Sequence, residues 1–257
     1  MIIIGLLVSL LASAIGAISG IGGGVIIKPA LDAAGFGNAA EVSFLSSMTV
    51  LAMAIMTLVR SRKSQEKLYN GISAYLAAGG IIGGIIGKLI FDRISTMFSI
   101  KTVAVVQSSV LLIIVLIVIV YILNKNKVKS RHIKNPGICL CIGMVLGLTA
   151  SFLGIGGGPI NIIVLYYFFD MQPKTAAINS IFIILFSQIS SLVFSLLGNT
   201  IPTFDGLTLA AMICGGIGGA IGGGMISKHL SECAVEKLYF GVMVFVGVMC
   251  VYNMITG

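Results

Sequence analysis

Two copies of Gly-Ile-Gly-Gly-Gly, at 20–24 and 154–158, are the residues of this chain best suited to meet a ligand. A helix that begins inside a membrane has free N–H groups in its first turn and the positive end of its dipole there. Successive glycines carry no side chains, so an anion can come right up to those amides. The contacts expected on this reading are Gly22, Gly23 and Gly24 in the first copy and Gly156, Gly157 and Gly158 in the second. The competing reading is that the glycines only let helices cross closely.

Side chains near the motifs add to the set. Lys28 lies four residues into the first glycine segment, where a cation is costly and functional by default. It could supply countercharge to an anion, snorkel to an interface, pair with Asp32 at i,i+4, or sit in an exposed loop. Its counterpart in the second copy is Ile162, so the charge is asymmetric. Ser46 and Ser180 occupy matched positions after the two motifs, and Asn161 and Asn179 belong to the second copy alone. Their hydroxyls and amides could read the oxygens of an anion or serve as interhelical glue, the role expected of Gln107. Asp32 and Glu41 are the acidic residues that could carry a coupling proton. Asp170, Lys174 and Asp205 fall at segment ends and should face water.

What is missing narrows the chemistry. The five cysteines show no C-x-x-C spacing and no neighbouring histidine, so neither a metal site nor a cofactor is expected. No H-E-x-x-H pair occurs, and no histidine falls in an apolar segment, which argues against an intramembrane enzyme.

The elements that must hold these residues are membrane helices. Hydrophobic residues make up 58% of the 257, charged residues 9%, and mean hydropathy is +1.12. Soluble domains carry about 25% charged residues, so this chain could not cover a water-facing surface. The net charge of +8 is concentrated in two loops, Arg60 to Lys67 and Lys125 to Lys134. That is the pattern of cytoplasmic loops, and it excludes a nucleic-acid partner.

Eight spans are expected, at 2–19, 42–59, 70–91, 101–123, 137–153, 175–197, 206–227 and 235–255. Two shorter segments, about 22–36 and 156–170, begin with the glycines; they are marginal for a span and could be short crossing helices or re-entrant pieces. Beyond the motifs the 134-residue offset also aligns Ile26 with Ile160, Leu31 with Leu165 and Leu51 with Leu185. The first basic loop is matched by 198–205, which has no Lys or Arg and is therefore placed outside. Equivalent loops on opposite sides require an odd number of crossings per half. The expectation is an all-α polytopic membrane protein of two inverted-topology repeats, 5+5, with the glycine segments crossing and both termini outside. Repeat 1 is 1–124, a basic cytoplasmic linker is 125–136, and repeat 2 is 137–257.

The paired Gly-Ile-Gly-Gly-Gly motif, followed in the first copy by Pro29, Ala30 and Leu31, resembles the TauE/SafE sulfite exporter family over essentially the whole chain. The second copy departs from the pattern. Pro29 is matched by Ile163, and Pro159 instead follows the glycines directly. The resemblance implies transport of small sulfur oxyanions or organosulfonates, commonly outward, across a prokaryotic inner membrane. Together these readings give a secondary transporter that alternates access around a midplane anion site, driven by an ion gradient such as protons. Transport of a carboxylate or metal oxyanion, or a membrane scaffold without flux, are the alternatives. Its partners are the anion and membrane lipid; internal symmetry does not demand a homodimer and leaves one open.

Overall fold

The computed structural model describes residues 2–61, 70–125, 130–155 and 158–256. Arg62, Lys63, Lys67, Lys127, Lys129, Gly156 and Gly157 lie outside the described residues. Among those described, the chain forms ten helices: α1 (Ile2–Ser19), α2 (Gly24–Ala33), α3 (Ala39–Ser61), α4 (Asn70–Met97), α5 (Ile100–Asn124), α6 (Pro136–Leu153), α7 (Pro159–Phe169), α8 (Pro173–Leu197), α9 (Gly206–Ser227) and α10 (Glu232–Thr256). Eight are long and apolar enough to cross a membrane, and they fall on the eight expected spans.

Local chemistry sets several ends. Asn135 caps α6 by accepting from Gly137 N at 2.9 Å, with Pro136 in the first turn. The helix stops at Gly154, whose φ of 64° is left-handed. Asp205 caps α9 through Leu207 N and Thr208 N.

The glycine segments contain α2 and α7, of 10 and 11 residues. At 1.5 Å per residue they are about 15 and 16 Å long, half of an apolar core of about 30 Å. They are shorter than the crossing segments expected from the sequence, and the reason is the turn before them. Gly20 and Gly22 have φ of 76° and 84°, which fold the chain back on α1. Gly23 consequently lies against Ser13, and Gly16 against the backbone of Gly22 and Gly23. Phe36, just past α2, reaches Gly5 near the start of α1. Helices α1 and α2 are thus a hairpin closed within the bundle and open at the end where α1 begins.

The second hairpin has the same build. Tyr167 O and Phe168 O at the end of α7 accept from Arg131 N and Ile133 N, at 2.6 and 3.0 Å, in the segment leading into α6. It opens at the other end of the bundle, where Lys125 of α5 pairs with Glu236 of α10 at 2.7 Å.

The most extensive contacts are α4 on α6 and α1 on α9. Gly79, Gly83 and Gly87 set α4 against the carbonyls of Leu140, Met144 and Leu148 on α6. Gly215, Gly219 and Gly223 set α9 against those of Leu6, Leu10 and Ala14 on α1. A methyl group at any of the six would overlap the facing oxygen. Lipid offers no hydrophobic drive for helices to associate, so such close backbone approach is what holds them together. Each half therefore packs its fourth helix on the first helix of the other, with α3 and α8 packed together as well.

Candidate functional site

The two motifs meet where α3 and α8 pass. Gly24 packs on the backbone of Ile155, inside the second motif. Gly20 lies on Ala177 of α8, and Gly154 on Ser43 of α3; the same 134-residue offset relates both members of the two pairs. Ser180 Oγ donates to Gly20 O at 2.7 Å, tying the first motif to α8. Its matched residue Ser46 is fully buried, and its Oγ has no partner. At Gly23 and Gly24 the space freed by the missing side chain is filled by Ser13 and Ile155. Gly158 differs: it is the N-cap of α7, and a Cβ there would meet nothing nearer than Ile160, at 3.7 Å.

Lys28 is 5% exposed, and its Nζ donates to Ser43 Oγ at 2.6 Å. That excludes snorkelling and loop exposure, and no ion pair within 4.0 Å joins it to Asp32. Asp32 and Lys28 border a small void with Gln107 and Leu153, and Gln107 Nε2 is anchored on Phe152 O at 2.8 Å. Asn161, 1% exposed, has neither end of its amide partnered. Asn179 accepts from Ser73 Oγ of α4 and donates to Thr175 O at 2.7 Å. Glu41 sits apart in the first turn of α3, its N–H bonded to Asn38 Oδ1 at 2.8 Å. The structure thus gathers Gly20–Gly24, Lys28, Ser43 and Ser180 around the motif contact, with Ser46 one turn along α3 from Ser43 and Glu41 in the first turn of that helix.

Two cavities reach toward this centre. The first, of about 500 Å³, holds Arg60, Lys174, Lys228 and Glu232, with Ala177 and Ala220 deeper in. The second, of about 280 Å³, lies at the opposite ends of α3 and α8 and holds Ser43, Ser47, Lys88, Asp92, Gln188 and Ser191. Their walls correspond under the repeat: Ala17, Thr57 and Ala177 line the first where Ser151, Ser191 and Ser43 line the second. The first cavity joins three cations to one carboxylate. In the second, Lys88 and Asp92 form a 2.8 Å ion pair. Ser43, which holds Lys28, is part of the second wall.

Sequence reasoning placed Arg60 in a basic loop and Lys174 at a segment end, and did not bring them together with Lys228. They come from three helices, and no spacing links them. Lys88 and Asp92 were not among the residues singled out from the sequence. The i,i+4 spacing of Lys88 and Asp92 was the signal available for that pair.

Eight helices long and apolar enough to cross a membrane, two half-length helices folded back on them and a cavity at each end fit a multi-pass membrane protein of the transporter type. The chain belongs to the TauE/SafE family: the profile described as sulfite exporter TauE/SafE matches residues 5–250. It is also similar to the probable membrane transporter protein YunE of Bacillus subtilis (strain 168), with 22% identity over 275 residues and 95% of each chain covered. No solved structure matches it.

Proposed function

We propose that this protein is a secondary transporter that moves small sulfur-containing anions, sulfite or organosulfonates, outward across a prokaryotic inner membrane. The observation that carries this reading is the pair of cavities whose walls correspond under the repeat and which approach the motif contact from opposite ends. Two equivalent access routes to one centre are what alternating access between inverted repeats requires. The basic loops support a cytoplasmic side for the cavity of Arg60, Lys174 and Lys228. Cations lining a cleft with low-dielectric walls raise the local concentration of an anion, which suits uptake from that side.

From there the anion passes to the motif contact. Lys28 and the motif amides supply positive charge, and Ser46, Ser180, Asn161 and Asn179 supply hydroxyl and amide groups for its oxygens. Ser46 and Asn161 are buried without partners, a costly state that a bound polar ligand relieves. Proton coupling falls to Asp32 or Glu41. Asp32 borders the same void as Lys28, whereas Glu41 does not line it, which favours Asp32.

Radiolabelled sulfite, sulfate and taurine flux in proteoliposomes, with and without a pH gradient, tests this reading. Saturable flux of a sulfur anion that responds to the gradient supports it. Absence of flux for all three removes the substrate claim and leaves the membrane fold standing.

A further inference from the structure

Helices α5 and α7 leave a groove between them, lined by Tyr121 on α5 and by Ile163, Val164, Tyr167 and Phe168 on α7. It encloses about 290 Å³ between apolar walls. The groove belongs neither to the inner cavity, that of Arg60, Lys174 and Lys228, nor to the outer one, that of Lys88 and Asp92. It touches no part of the motif contact, so the transport reading leaves it without a task.

One end of the groove is basic. The segment that enters α6 crosses the end of α7 there, where Arg131 N and Ile133 N donate to Tyr167 O and Phe168 O. The Arg131 guanidinium carbon stands 6.0 Å from the centre of the Tyr167 ring. Lys125, one turn on from Tyr121 at the end of α5, marks the same end. Its ammonium is already engaged, by Glu236 at 2.7 Å and by the face of Tyr166 at 4.8 Å. Arg131 and Lys134 are different. Both are exposed, and among the described residues neither has a carboxylate within 4.0 Å. Asp170, the other acid at this end, lies 3.8 Å from His132.

An apolar slot ending at unpaired cations fits a molecule of two parts, an acyl chain and an anionic head. The volume holds about ten groups of methylene or water size at about 30 Å³ each. Tyrosines gather where a membrane meets water, and basic loops mark the cytoplasmic face. Anionic lipids of that leaflet are drawn to Lys and Arg, and basic pockets between helices take their head groups. A small soluble anion would use the cations and leave the slot empty. A neutral lipid would fill the slot and leave the cations unpaired. A second copy of this chain docked two-fold on the groove would set each Arg131 against its own counterpart.

We propose that the α5–α7 groove is a binding site for an anionic phospholipid of the cytoplasmic leaflet. An acyl chain runs along Tyr121, Ile163 and Phe168, and the phosphate sits at Arg131 and Lys134. The proposal needs the membrane fold and a cytoplasmic basic end, and it does not depend on what the protein transports.

The chain contains no tryptophan, so Phe168→Trp puts a single fluorescent reporter in the groove. The full-length variant is placed in bilayers of phosphatidylglycerol and phosphatidylcholine, one or the other brominated on its acyl chain, and quenching gives their relative affinity. Phosphatidylglycerol should bind about fivefold more tightly, the scale of one basic residue at an anionic surface. Adding Arg131→Gln should reduce the preference to about twofold or less. Ile113→Trp, exposed midway along α5, should show none. Equal affinity of the two lipids at Phe168→Trp overturns the proposal. So does the same preference at Ile113→Trp, which would make it a property of the whole surface. Quenching by neither lipid at Phe168→Trp also overturns it, because another chain then covers the groove. Where Phe168→Trp itself disturbs the groove, thermal unfolding of the tryptophan-free protein in detergent takes its place. Phosphatidylglycerol should raise the unfolding temperature more than phosphatidylcholine does. A difference that survives Arg131→Gln and Lys134→Gln together overturns the site.

Discussion

Lys28 Nζ donates to Ser43 Oγ at 2.6 Å, joining the first glycine hairpin to the helix that lines the outer cavity. Lys28 sits on the hairpin that α1 and α2 close inside the bundle. Ser43 sits on α3, where Gly154 of the second motif also rests. One buried ammonium therefore touches both halves of the protein through a single hydroxyl. In the second half the matched position is Ile162, so the charge favours one side of an otherwise repeated arrangement.

The close helix contacts predict opposite outcomes for two glycines one turn apart on α9. At Gly219 a Cβ would overlap Leu10 O, while at Gly222 nothing lies within 4 Å. Gly219→Ala should cost about 1–3 kcal/mol through forced separation of α9 from α1. Gly222→Ala should be neutral, or stabilising by up to about 1 kcal/mol from helix propensity. Thermal unfolding of both variants in one detergent checks this; equal shifts would mean that the α1–α9 contact is not made as described.

Opposite opening of the two hairpins predicts the sidedness of two residues. Cys233 is exposed at the start of α10, beside Glu232 of the inner cavity, and Thr203 is exposed in the loop before α9. With the other cysteines replaced, an impermeant maleimide should label Cys233 only from the cytoplasm and Thr203→Cys only from outside. Labelling of Thr203→Cys from the cytoplasm and of Cys233 from outside would rule out the inverted arrangement.

Asp205 predicts a pH dependence. The Thr208 hydroxyl, first, and then Leu207 N and Thr208 N hold its carboxyl below the usual value. A depressed carboxylate adds stability that is present above the unfolded-state range and is lost as pH falls through the folded one. Asp205→Ala should therefore lower the unfolding temperature at neutral pH, with the difference from the parent shrinking under acid. A difference that stays constant down to strongly acidic pH would show that the charge on this cap contributes nothing.

The inner cavity predicts a salt effect. Arg60 shares it with Lys174 and Lys228, so Arg60→Gln should weaken apparent anion affinity from the cytoplasmic face. Exposed charges are screened over about 8 Å at physiological ionic strength, so the loss should narrow as salt rises. Initial rates in inside-out vesicles at two salt concentrations measure it.

Much of this architecture was legible in the sequence because the membrane restricts the choices. Spans follow from apolar length. The Gly79–Gly87 and Gly215–Gly223 repeats have the small-residue spacing of close helix packing, which does not say which helices they meet. The half-length of α2 and α7 was not legible, because their apolar stretches run on into the turns at either end. Where the chain reverses depends on the left-handed backbone at Gly20 and Gly22, which composition does not reveal. Convergence was equally hidden. Ser73 meets Asn179 across 106 residues, and Arg60, Lys174 and Lys228 share no local pattern.

The most direct test of the account is sulfite efflux from proteoliposomes that contain either the unaltered protein or Lys28→Ala. The buried ammonium is assigned to the transported anion, and its loss should lower efflux by about tenfold or more, equivalent to about 1.4 kcal/mol or more. Unfolding temperature should be measured alongside, to show that Lys28→Ala remains folded. Efflux at the unaltered rate from a folded Lys28→Ala protein would contradict the central site.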